Sequence, residues 1–211
     1  MANFKNPTAL LMQRMASAEK GQGSMAALMQ KFFADNYGKT DLPKRVADFA
    51  IYDQQLVTGS TTVNFFDGAY SVNRTNFPGG SFVMPQSEHA IITGIRVLSG
   101  VNATLQSTDW AAGVSDPVVK NGTLTITSNG DTVATQIPGT VFRSELFGNA
   151  VAGAATIAGE TDDNAGFWWL AEPIVLLGQT DIKSRFQFLA APAVANTNVR
   201  VELHGIRFIG G

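Results

Sequence analysis

Val118-Val-Lys-Asn-Gly-Thr-Leu-Thr-Ile-Thr-Ser-Asn-Gly-Asp-Thr-Val-Ala-Thr-Gln-Ile137 holds two Asn-Gly pairs, at 121–122 and 129–130, with an alternating run between them. Asn-Gly is the strongest short-range hairpin signal, because a two-residue type I′ turn needs positive φ at both central positions. Leu124 and Ile126 share one face of the run, and Thr123, Thr125 and Thr127 share the other. That period of two is the mark of a half-buried strand. The stretch predicts a three-stranded meander, and with it an antiparallel β fold.

Working outward, the same period recurs on both sides. Thr61-Thr-Val-Asn-Phe-Phe66 is β-rich in composition, and Ile91, Thr93, Ile95 and Val97 are placed on one face of a strand. Pro173 to Leu177 is a short apolar run, and Ile182, Ser184, Phe186 and Phe188 oppose Lys183, Arg185 and Gln187. The last strand carries Val199, Val201 and Leu203 on one face and then Ile206 and Phe208, so parity slips at His204-Gly205. Such a slip predicts a β-bulge there. About eight strands without helical periodicity between them predict a mainly β chain, an antiparallel β-sandwich of jelly-roll type over residues 39–211.

Residues 1–38 follow a different period and are predicted to form a short α-helical N-terminal arm. Asn6-Pro7 is a helix start, and Leu10, Leu11 and Met15 follow at helical spacing. After Gly21 and Gly23, Ser24 restarts the helix. Met25, Leu28, Met29, Phe32 and Phe33 then form an amphipathic stripe, and Asn36-Tyr37-Gly38 ends it. Five of the six methionines precede residue 30. Methionine adapts to more than one partner surface, so the stripe is a candidate subunit contact. The alternatives are that it plugs the chain's own sandwich or lies on a membrane surface, the latter disfavoured by the lack of a Lys-rich opposite face.

Composition narrows the function classes. The chain has 211 residues, 45% of them apolar and only 15% charged, as suits a surface covered by other subunits. Net charge is −2, with seven basic against four acidic residues up to position 50 and eight against thirteen beyond it. A basic end this weak implies at most slight nucleic-acid contact. There is no cysteine, so disulfides, thiolate chemistry and Cys-based zinc sites are excluded. With no run of eighteen apolar residues and no signal-like start, the chain is expected to fold in a cytoplasm.

Catalytic constellations are scarce. His89 and His204 are the two imidazoles, and neither sits in a motif with a nucleophile or a second ligand. Gly38-Lys39-Thr40 imitates the end of a phosphate-binding loop, but Phe33 stands where that loop needs glycine, so a helix stop followed by a solvated lysine is the better reading. Glu160, Asp162 and Asp163 cluster in one loop as a weak Ca²⁺ candidate, without EF-hand spacing. Asp53, Asp67 and Glu145 are carboxylates that the sequence does not pair. Within Phe167-Trp168-Trp169-Leu170, alternation predicts one indole in the core and one outward, as a contact anchor, as a sugar platform or simply covered by a loop. Neither a cofactor nor an enzymatic activity is expected.

With its helical arm, cysteine-free chain, eight or so strands and closing strand Leu203-His204-Gly205-Ile206-Arg207-Phe208, the sequence resembles the single jelly-roll capsid proteins of bacterial viruses. The resemblance implies a structural coat protein that folds in the host cytoplasm and resides in the virion. It implies a homo-oligomeric, symmetric shell, with other virion proteins as further partners and no catalytic residue. Subunit-contact candidates are Met25, Leu28, Met29, Phe32, Phe33, Trp168 and Trp169. The alternative is a ligand- or carbohydrate-binding β-sandwich, such as a phage decoration, tail or fibre module, marked by Trp110, Trp168 or Trp169 beside polar groups.

Overall fold

The order in which the strands pair determines the architecture. In the computed structural model the described residues are 31–32, 34–35, 38, 43–105, 110–112, 121–142 and 167–210. They form the strands β1 (Pro43–Leu56), β2 (Thr62–Phe65), β3 (Glu88–Val101), β4 (Ala111–Ala112), β5 (Thr123–Ser128), β6 (Asp131–Pro138), β7 (Phe167–Leu176), β8 (Ile182–Gln187) and β9 (Thr197–Gly210). The chain is mainly β, and its described strands make two antiparallel sheets. The larger runs β1-β9-β3, with β7 and the short β4 against different lengths of β3's far side. The smaller runs β2-β8-β5-β6. The pairs are nested: β1 with β9, β2 with β8, β3 with β7 and β5 with β6.

Both sheets turn their apolar faces to one buried cluster. Ile95, Val97, Val199, Val201 and Leu203 enter it from the larger sheet, and Leu124, Ile126, Ile182 and Phe186 enter it from the smaller. At about 25 cal/mol per Å² of apolar area, this shared burial is the main favourable term of the fold. Phe66, Phe77 and Phe82 close one side edge-to-face, with ring centroids 5.9–6.2 Å apart.

The Asn129-Gly130 hairpin forms as the sequence predicts, with φ of 50° and 85° at its two turn residues. The meander does not. The two neighbours of β5 are β6 and β8, which leaves no edge for a strand preceding Asn121; residues 113–120 themselves lie outside the described set. Gly122 meets a packing need, since a Cβ there would lie 2.4 Å from the Phe186 ring.

The predicted bulge also moves. Register between β1 and β9 is unbroken through His204-Gly205, whereas β3 shifts between Ile92 and Gly94, which makes Thr93 the extra residue. Ile91 therefore faces away from Ile95 and Val97 and joins Phe208 and Phe32 in a second cluster on the outer face, flanked by Val46, Val175, Leu177 and Ile206. The change of apolar parity along β9 records a second apolar face, not a bulge in β9. Gly205 is obligatory for a different reason: a Cβ there would sit 1.8 Å from the Ile91 carbonyl oxygen.

Lys31, Phe32, Ala34 and Asp35 are helical, and Gly38, at φ 62°, ends the turn by donating its N–H to the Ala34 carbonyl at 3.2 Å. That stop agrees with the sequence reading. The rest of the predicted arm, residues 1–30, lies outside the described residues.

One buried ion pair fixes the connection from β2 to β3. Asp53 on β1 is fully buried and receives Arg74 Nε at 2.7 Å and Nη2 at 2.6 Å, a bidentate fork. The N–H groups of Phe66 and Gln54 donate to the same carboxylate at 2.6 and 2.9 Å. Burial pushes the Asp53 carboxyl up, while Arg74 and these N–H groups pull against it. Nearby, Asn76 lies along the edge of β1: its side-chain amide donates to the Ala50 carbonyl at 2.8 Å and accepts the Tyr52 N–H at 2.7 Å. The Thr75 hydroxyl donates to the Tyr52 carbonyl, and Gln54 N–H donates to the Arg74 carbonyl at 3.1 Å.

Two stability predictions come from this packing. Gly205→Ala forces β9 away from β3 and is expected to cost about 3 kcal/mol in urea unfolding, the upper end of ordinary overpacking. Asp53→Asn leaves Arg74 without its counter-charge, and the same measurement is expected to show a loss of about 3–5 kcal/mol.

Candidate functional site on the outer face of the larger sheet

On β9, the odd positions Val199, Val201 and Leu203 point inward, so Arg200, Glu202 and His204 share the outer face. Strand register determines what stands beside them. Glu202 lies between Tyr52 of β1 and Arg96 of β3, and His204 lies between Ala50 and Gly94. On β7, Phe167 pairs with Arg96 and Trp169 with Gly94.

The side chains form a continuous row. Arg200 Nε lies 2.9 Å from Glu202 Oε1, and His204 Nε2 lies 3.0 Å from Glu202 Oε2. The Arg200 guanidinium stacks 3.6 Å from the Tyr52 ring centroid and 5.9 Å from that of Trp110. At the other end, the Phe167 ring is 5.1 Å from His204 and 4.5 Å from Trp169. Gly94 makes room for it, since a Cβ there would lie 2.1 Å from Phe167 Cε1. Glu202 is only 8% exposed. Burial pushes its carboxyl up, but the His204 hydrogen bond and the charges of Arg200, His204 and Arg96 outweigh that and hold it below the ordinary carboxylate range.

The other predicted residues divide as follows. Trp168 and Trp169 are 40% and 64% exposed, so neither indole is in the core, contrary to the alternation reading. They do fall on opposite faces, opposite Ile95 and Gly94, and among the described strands β7 pairs only with β3. Phe32 is buried against Ile91 and Phe208 of its own chain. Met25, Leu28, Met29 and Phe33, the acidic group Glu160, Asp162 and Asp163, and Glu145 lie outside the described residues. Asp53 is bound to Arg74, and Asp67 lies 3.6 Å from Lys183. His89 Nδ1 accepts the Gly178 N–H at 2.8 Å, a structural bond. Among the described residues no group of three His, Asp or Glu is placed to hold a metal ion, and no helix is long and apolar enough to cross a membrane.

A cleft of about 480 Å³ opens between the β5–β6 turn and β7, lined in part by Asn129, Asp131, Glu172, Val175 and Leu177. Sequence reasoning missed Tyr52, Arg96, Phe167, Arg200 and Glu202. The alternating Arg200-x-Glu202-x-His204 was a usable signal, but the identity of the neighbouring strands was not. Compared with protein-family models and with curated proteins, the chain matches none.

The lowered Glu202 carboxyl gives a signed pH prediction. Its stabilisation is complete above the ordinary glutamate range near pH ~4.3 and fades as pH falls through the lower folded value. Glu202→Gln is expected to be about 2 kcal/mol less stable than the wild type at pH 7. Urea unfolding repeated at about pH 3 should show that difference shrinking.

Proposed function

We propose that this chain is a structural subunit of jelly-roll type that self-assembles into a closed, virus-like shell. The nested pairing of β1 with β9, β2 with β8, β3 with β7 and β5 with β6 carries the reading. A long antiparallel ribbon folded over into two four-stranded layers is the jelly-roll plan, common in coat proteins. On this reading β4 is an addition between the third and fourth ribbon strands.

A second feature favours association. Leu56, Val101, Leu189 and Val194 are exposed at one end of the body, Leu189 at 86%. Their segments converge there, as the bonds Val57 N–H to Thr197 O and Asn102 N–H to Asn196 O show. Repeated apolar contacts of this kind sum over many copies, so each interface stays weak and reversible. Symmetry then closes the assembly.

Light scattering and negative-stain electron microscopy across salt and pH test the reading. Large closed particles are expected in at least one condition, and Leu189→Asp combined with Val101→Asp should lower the assembled fraction about tenfold, equivalent to about 1.4 kcal/mol. Monomers under every condition would overturn it.

A further inference from the structure

We propose that the outer-face row from Trp169 to Arg200 is a binding site for an acidic oligosaccharide. The inference goes beyond the shell reading and does not depend on it. Trp169 is the most exposed indole of the described residues, and its ring is held from one side by Phe167 at 4.5 Å, which in turn sits in the space left by Gly94. Its outer surface is a rigid, amphipathic platform, suited to the C–H face of a sugar ring.

The polar end is equally prepared. Arg200 is fixed in plane by Tyr52 at 3.6 Å and by Glu202 at its Nε. Its buried Nε meets Glu202 as an ion pair without hydrogen-bond geometry, and the side chain is 22% exposed. Both Glu202 oxygens are already engaged, by Arg200 and by His204, so this acid cannot repel an incoming anion as a free carboxylate would. A planar guanidinium that reaches the surface selects a planar carboxylate, which gives charge complementarity to a uronic-acid unit.

Spacing sets the ligand's size. Trp169 and Arg200 are separated by two strand spacings and four residues along β9, roughly 16 Å on the diagonal. A monosaccharide cannot reach both ends, whereas a short acidic chain lying across His204 can.

The test is a calorimetric titration of the full-length protein with oligogalacturonate, and with a neutral cello-oligosaccharide of matching length. The acidic probe should bind about tenfold more tightly than the neutral one, with affinity falling as salt rises. Trp169→Ala and Arg200→Lys, which keeps the charge beside Glu202, should each weaken it about tenfold or more, while Leu189→Ala leaves it unchanged. No heat with either probe overturns the site, as does wild-type affinity in both weakened variants. Loss of self-association in Trp169→Ala with a flat sugar titration also overturns it, by identifying the face as a subunit contact. Should Arg200→Lys fail to fold, the exposed Trp169 position decides alone.

Discussion

The larger sheet depends on one placement, the insertion of β9 between β1 and β3. Both partners are antiparallel to it and paired along nearly its whole length. Until β9 is in place, β1 and β3 have no connection within the sheet, and Val199, Val201 and Leu203 are missing from the centre of the core. The contacts that close it join residues far apart in sequence, so the loop-closure entropy falls due before the burial that offsets it. Gly205 is the tightest point of that insertion. Its missing side chain lets β9 approach the Ile91 carbonyl where β3 bulges at Thr93.

β9 also distributes work between its faces. Its inner face is apolar from Val199 to Leu203, but its outer face is divided. Towards one end, Ile206 and Phe208 lie under Phe32, and towards the other, Arg200, Glu202 and His204 form the charged row. The outer face thus has an apolar half covered by the chain's own helical turn and a polar half bordered by Tyr52, Trp110, Phe167 and Trp169.

Local features of this fold were legible in the sequence wherever they depend on near neighbours. The Asn129-Gly130 turn needs only its own φ values, and the alternation in β8 needs only one buried side, so both read correctly. The meander failed because strand adjacency is a long-range property, and β8 occupies the position beside β5 that a preceding strand was expected to fill. The parity slip at His204-Gly205 was a real signal with a different cause, since an apolar residue reports that its face is covered and not which element covers it. The outer row was half legible: Arg200-x-Glu202-x-His204 declares a charged face, but Tyr52, Arg96 and Phe167 join it only through pairings 100 residues and more away in some cases. Asp53 appeared as a loose carboxylate because nothing nearby announces Arg74 as its partner.

Asn76 has a consequence for how copies of this protein can meet. A side-chain amide that both donates to Ala50 and accepts from Tyr52 imitates one rung of a β-ladder without supplying a strand that continues it. Thr75 and Arg74 occupy the next backbone groups, so this length of β1 offers no template for strand addition. Backbone zipping between chains is indifferent to sequence and slow to undo, whereas contacts between side-chain surfaces are selective and reversible. With that part of the edge closed, any neighbour that meets it must do so through side chains. This part of the border of the larger sheet is therefore closed to the strand addition from which fibres grow.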